Sequence, residues 1–149
     1  MPWSLRQSCV SDAHWIAELR ADVLESDLRR LGRYDPDRVR RRFCDAFDPD
    51  CTQVIVIDDD DDDDDAGSIT VRETADSTWI EHFYVGRAHQ GRGIGGAVLR
   101  TILSASDSRP FRLNVLQGSS ARWLYDNCGF IVEREDAVDI YMVRHSAAR

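Results

Sequence analysis

The stretch Trp79 to Gly96 reads WIEHFYVGRAHQGRGIGG, and its reading decides the architecture. Trp79 to Val85 is dense in aromatic and branched side chains, the composition of a β-strand. Beyond the turn, Ile94, Val98 and Ile102 recur at helical spacing with Leu99 and Leu103 beside them. A helix is therefore predicted to about Ser106. Between strand and helix stand Gly91, Gly93, Gly95 and Gly96. They let the chain turn tightly and bring backbone N–H groups close to a ligand. Those amides also lie at the positive end of the helix, where the first four N–H groups have no intrahelical partner. Such a bend suits a phosphate or pyrophosphate without a lysine. Tight strand-to-helix packing uses the same glycines, so the bend alone does not decide function.

Upstream, Trp3 to Arg6 reads as a short edge strand. Ser11 precedes Trp15, Ile16, Leu19, Val23 and Leu24, a helical series that continues to Leu28 and Leu31 and stops at Gly32. Ser11 is the expected N-cap. A second helix is expected after Asp35-Pro36, with Val39, Phe43 and Phe47 inward and Arg38, Arg40, Arg41 and Arg42 mostly solvated. Val54 to Ile57 is a strand buried on both faces, and Ile69 and Val71 alternate in the next one. Downstream, Phe111, Leu113 and Val115 alternate in a strand. Gly118-Ser119-Ser120 opens a helix with Ala121, Leu124, Tyr125 and Cys128 inward, closed by Gly129. Two last strands lie near 130–134 and 139–144.

The chain has 149 residues, the length of one domain. Its net charge of −8 arises from Asp58 to Asp65, an unbroken aspartate run; outside it, acids and bases balance. There is thus no basic face for nucleic acid. The run is expected to form a mobile acidic loop over 58–66, because its like charges repel and cannot pack. It lacks the alternating ligands and Gly turn of a calcium loop. All 19 basic residues are Arg. The absence of lysine excludes Schiff-base chemistry and a Walker-type phosphate loop. Cys9, Cys44, Cys51 and Cys128 form no CxxC pair, so free thiols and no metal site are expected. No apolar run reaches the roughly 18 residues of a membrane span, which predicts a cytoplasmic protein.

A dinucleotide-binding unit uses the same physics and requires GxGxxG followed about 20 residues later by an acid closing a second strand. Here Gly91 to Gly95 is GxGxG, and the strand ending at Val115 carries no acid. The bend also follows several elements rather than the first strand, so that reading fails.

Two separated motifs instead resemble the GNAT superfamily of acyl-CoA-dependent N-acyltransferases. Gln90, Gly93 and Gly95 satisfy its [QR]-x-x-G-x-[GA] phosphate-loop pattern. LNVLQGSSARWLYDNCGF, Leu113 to Phe130, is similar to its fourth-helix motif ending in Leu-Tyr and Gly-Phe. The resemblance covers nearly the whole chain. It implies a single α/β domain over 1–149, with a mixed sheet of about six to seven strands, about four helices and a splayed strand pair.

The resemblance further implies acetyl transfer from acetyl-CoA to a primary amine of a small molecule or protein, by direct attack in a ternary complex. Phe83, Tyr84 and Val85 would lie along the pantetheine arm, and Gln90, Gly91, Arg92, Gly93, Ile94, Gly95 and Gly96 would hold the pyrophosphate. The broken alternation of Trp79, Ile80, Phe83, Tyr84 and Val85 suits a bulge in this strand. Tyr125 matches the tyrosine that protonates the departing thiolate. Glu81 matches a position where relatives carry a carboxylate acting as base, directly or through water. In a regular strand His82 would point to the opposite face. Ser119 stands where many relatives have a cofactor-contacting asparagine, and a serine there also serves as a helix cap. A non-catalytic acyl-CoA-binding domain would keep the same bend; Tyr125 favours the enzyme. Homodimers are common among such folds, and nothing in this sequence decides that state.

Overall fold

The computed structural model describes residues 2–58, 62–105 and 108–145. The chain begins with β1 (Trp3–Gln7), α1 (Ala13–Arg30) and α2 (Pro36–Ala46). The strands β2 (Thr52–Asp58), β3 (Asp63–Glu73) and β4 (Thr78–Val85) follow, and α3 (Ile94–Ser104) begins after the glycine bend. Then come β5 (Phe111–Leu116), α4 (Ala121–Asn127), β6 (Ile131–Glu135) and β7 (Asp139–Arg144). The seven strands form one sheet in the order β1-β2-β3-β4-β5-β7-β6. Every neighbouring pair is antiparallel except β4 and β5.

The sheet divides two cores. One buries Ile55, Ile57, Ile69 and Ile80 with Val98, Leu99 and Leu103 of α3 and Tyr125 of α4. The other packs Ile16, Ala17 and Phe43 of α1 and α2 on Val54 and Val56. Val54 to Ile57 thus faces apolar neighbours on both sides, as four consecutive branched residues require. No described helix is long and apolar enough to cross a membrane. All four cysteines are free thiols.

Three local expectations change. The first helix is entered from Asp12 rather than Ser11. A single turn of 3-10 helix spans Val10–Asp12, and the Cys9 backbone N–H donates to Asp12 Oδ2 at 2.9 Å. Arg6 donates to both Asp12 oxygens (2.9 and 3.0 Å) and Trp15 Nε1 donates to Oδ1 at 2.8 Å. A longer-range ion pair therefore fixes this helix start, which local capping statistics do not contain. The buried carboxyl of Asp12 is held far below the usual carboxylate range, above all by Arg6.

The apolar series of α1 also divides. Ile16, Ala17 and Ala21 are buried, whereas Val23, Leu24 and Leu28 are half-buried and line a cleft. Periodicity identified the face and not what it faces.

The expected acidic loop over 58–66 is shorter. Asp58 pairs with Asp63, Ile57 with Asp64 and Val56 with Asp65, so both flanks continue the β2–β3 ladder. Two side chains meet the aspartates: the Arg6 guanidinium donates through Nη2 to Asp65 at 3.0 Å, and His89 Nε2 lies 2.8 Å from Asp64 Oδ2. Ala66 is buried within β3. The tip, 59–61, lies outside the described residues.

Candidate active site

The site begins with an irregularity in β4. Thr70 pairs with Glu81 but Ser68 with Tyr84, so His82 and Phe83 together oppose Ile69. This β-bulge places His82 at φ +46°, the left-handed region that non-glycine residues rarely adopt. Gly67 allows β3 to stay close here, because a Cβ on it would meet the Tyr84 carbonyl oxygen at 2.1 Å. The extra residue resets the alternation. Ile80, Phe83 and Val85 join the core under α3, while His82 and Tyr84 reach α1 and α2. His82 therefore does not point away from the site as a regular strand would require.

The bulge also ends the pairing between β4 and β5. Only Thr78 with Phe111 and Trp79 with Arg112 are in register, after which the strands part. The gap opens into a cleft of about 1410 Å³ that reaches from the glycine bend to α1 and α2. Its lining joins Gln90, Gly91, Gly93, Ile94, Gly95 and Gly96 with Glu81, His82, Phe83, Tyr84, Val85, Ser119 and Tyr125. Of the residues expected at the site, Arg92 alone is not part of this lining.

At the bend, Gly91 and Gly93 have φ +81° and +79°, and a Cβ on either would meet nothing within 4 Å. Gly93 is the N-cap of α3, and Ala97 is the first α3 residue whose N–H finds a backbone acceptor, the Gly93 carbonyl (3.1 Å). Donors at a helix N-terminus beside open space fit a diphosphate. The Gln90 side chain donates through Nε2 to the Val85 carbonyl at 2.7 Å, tying the bend to the end of β4. Phe83 and Val85 lie under Gly95, each 3.9 Å from where its Cβ would stand. Ser119 Oγ accepts from the N–H of Ala121, the first residue of α4, at 3.1 Å, while Ser120 is the N-cap.

The titratable groups sit where the strands part. Tyr125 is buried, its ring edge-on to Phe130 at 5.9 Å. Burial, followed by the nearby Tyr84, drives its hydroxyl well above the ordinary tyrosine value, so it remains a proton donor at neutral pH. The Tyr84 hydroxyl accepts from Arg20 Nε at 2.9 Å and lies 3.3 Å from His82 Nδ1. Burial first, then the Arg20 charge, lowers His82 to about 4, leaving a neutral imidazole at physiological pH. Glu81 is half-buried and accepts two hydrogen bonds from Arg72, at 2.8 and 3.0 Å. That pairing outweighs desolvation and holds the carboxyl below its ordinary value.

Sequence reasoning missed Arg72, Gly67 and the contact of Arg20 with Tyr84. Arg72 stands diagonally across from Glu81 in the regular register between β3 and β4, and Arg20 reaches Tyr84 across 64 positions of chain. No local signal encodes either contact.

This geometry has relatives. Residues 50–132 match the model of the acetyltransferase (GNAT) domain. The structure is similar to the PaiA N-acetyltransferase of Thermoplasma acidophilum in complex with coenzyme A, with a TM-score of 0.71 and 16% identity over 98% of this chain and 100% of the other. It is also similar to PH1933 from Pyrococcus horikoshii OT3, with a TM-score of 0.70 and 20% identity over 99% and 100% of the two chains. An N-acetyltransferase from Staphylococcus aureus Mu50 gives a TM-score of 0.67 and 18% identity over 94% and 99%. No curated protein matches the sequence significantly. With more than half its length inside the domain model, a seven-stranded sheet opened by a bulge and a glycine bend at the gap, the chain belongs to the GNAT acetyltransferase family.

Proposed function

We propose that this cytoplasmic protein is an acyl-CoA-dependent N-acetyltransferase that transfers an acetyl group to a primary amine by direct attack in a ternary complex. One observation carries the reading: the glycine bend and the buried Tyr125 hydroxyl open into the same cleft where β4 and β5 part. Acetyl-CoA supplies an activated thioester. The bend, from Gln90 to Gly96, holds its diphosphate through backbone donors, and the exposed backbone edge of Phe83, Tyr84 and Val85 accompanies the pantetheine arm. Coenzyme A in the Thermoplasma acidophilum structure supports that assignment.

The amine has to lose a proton and the thiolate has to gain one. Tyr125 gives the proton, because its raised pKa keeps it protonated until a stronger base forms beside it. Glu81 receives the amine's proton, directly or through water. Its pairing with Arg72 keeps it ionised but makes it a weak base, so the amine enters already neutral and Glu81 takes the proton that becomes acidic once the nitrogen bonds to the acetyl carbon. Ser119 contributes by accepting the Ala121 N–H at the start of α4, the helix that carries Tyr125.

The test is thiol release from acetyl-CoA across a panel of primary amines, with acetylated product identified by mass. Amine-dependent release supports the enzyme. Tight coenzyme A binding by calorimetry with no turnover on any amine favours a non-catalytic acyl-CoA-binding domain.

A further inference from the structure

The charges lining the far end of the cleft are unevenly satisfied. Five acidic side chains line it, and each is engaged by the protein itself. Asp27 accepts from Arg30 (2.6 Å), Glu81 from Arg72, and Asp139 from Asn114 Nδ2 (3.0 Å). Asp35 caps α2 by accepting the Arg38 N–H, and Asp136 accepts the N–H groups of Val138 and Asp139. The lining arginines divide differently. Arg20 is held by Tyr84 and the Val39 carbonyl, and Arg87 by Asp22. The guanidinium groups of Arg33, Arg38 and Arg42 make no hydrogen bond or ion pair among the described residues, and Arg33 influences Asp136 through space only.

These three are a selected set. Arg38 and Arg42 are one helical turn apart on α2 and share a face, with Arg33 in the segment leading to that helix. On the same helix Arg40 pairs with Glu18 and Asp37, and Arg41 does not line the cleft. The same cleft is lined from α1 by the half-buried apolar side chains Val23, Leu24 and Leu28. This end also lies on the face of the sheet opposite α3, away from the donors of the bend.

We propose that the acceptor amine carries an oxyanion, a carboxylate or a phosphate, which Arg33, Arg38 and Arg42 bind while an apolar segment lies on Val23, Leu24 and Leu28. This rests on the functional reading above and names the substrate class of that site. Guanidinium groups meet such oxyanions through paired, charge-assisted hydrogen bonds. The binding orients the amine toward Tyr125 and Glu81, while Asp27 and Glu81 already hold arginine partners of their own.

The test is calorimetric titration of the full chain, saturated with coenzyme A, with two matched pairs of ligands. Phenylalanine is compared with phenylalaninamide, and phosphoethanolamine with ethanolamine. In at least one pair the anionic member should bind about tenfold tighter or better, the effect of one charge-assisted hydrogen bond. The preferred pair identifies carboxylate or phosphate. In an Arg38→Gln/Arg42→Gln variant the preference should shrink about tenfold while coenzyme A affinity stays unchanged. Both side chains are exposed, so the variant retains its core. Equal or weaker binding of the anionic members, or binding by none of the four, overturns the proposal. So does weakened coenzyme A binding in the variant, which would assign the arginines to the coenzyme's own phosphates. Binding is read without turnover, so intact discrimination with no acetyl transfer would remove the enzymatic reading and leave the anion site standing.

Discussion

The two ends of the cleft use opposite means to present positive charge. At the bend, Gly91, Gly93 and the amides ahead of Ala97 form a donor surface from the main chain. Its geometry is fixed within seven consecutive residues, because left-handed glycines and a helix N-terminus suffice to build it. On the α1–α2 wall the charge belongs to side chains, and its availability depends on which arginines found partners elsewhere in the fold. Main-chain donors are rigid and chemically uniform, suited to a group shared by every donor molecule. Long side chains are adjustable, suited to the variable half of the reaction.

The comparison breaks first if the wall is as self-sufficient as the bend. Phe43 is fully buried and packs edge-on against His82 with ring centroids 4.9 Å apart, so it joins the wall to the bulge. Phe43→Ala should lower stability by about 3–5 kcal/mol in denaturant unfolding. A loss below about 1 kcal/mol would show that α2 contributes little to the site's frame.

Gly93→Glu tests the bend. The substituted side chain occupies a left-handed position and projects a carboxylate into the space assigned to the diphosphate. Coenzyme A affinity should fall on the order of 100-fold, through like-charge repulsion and strain. Unchanged affinity in the folded variant would move the diphosphate elsewhere. Tyr125→Phe should reduce kcat about 100-fold while leaving coenzyme A affinity near its original value, the pattern of a group acting in the transition state. Equal rates would return Tyr125 to a packing role.

The titrations sharpen the comparison further. His82 has its pKa lowered from 6.5 to about 4, chiefly by burial, so the unfolded chain binds its proton more readily. Its contribution to stability is complete above about pH 6.5 and is lost as pH falls toward 4, at no more than about 1.4 kcal/mol per pH unit. His82→Asn, a residue that tolerates positive φ, should flatten the thermal-midpoint profile in that window. A profile unchanged from the parent would show that His82 is not the group responsible. The smallest effect concerns Glu81. As a base it must be ionised, so activity should fall with decreasing pH through a pKa that Arg72 holds below the ordinary 4.5. Arg72→Gln removes the largest depressing cause while desolvation remains, and the acidic limb of kcat/KM should move to higher pH. An unmoved limb would separate Glu81 from the proton transfer.

How much of this was legible varied with the range of the interactions. The strand 79–85, the helix after 94 and the core positions Val54, Phe43 and Leu99 followed from alternation and helical spacing. The bulge was readable from the broken pattern around Phe83, although its consequence for His82 was not. Asp12 displaced Ser11 because Arg6 reaches it from a neighbouring strand. The aspartate flanks joined strands because ladder hydrogen bonds, the Arg6 guanidinium and the His89 ring offset repulsion that composition alone treats as decisive.

The sequence by itself determined the order of elements, the two apolar surfaces of the sheet and the glycine bend, since each arises from residues within a few positions of one another. Only the tertiary structure decided that β4 and β5 part, that Glu81, His82 and Tyr84 gather at the gap, and that Arg33, Arg38 and Arg42 have no ion-pair partner among the described residues. The physical reason is that pairing and desolvation are set by distances through space, and a linear chain carries those distances only once it has folded.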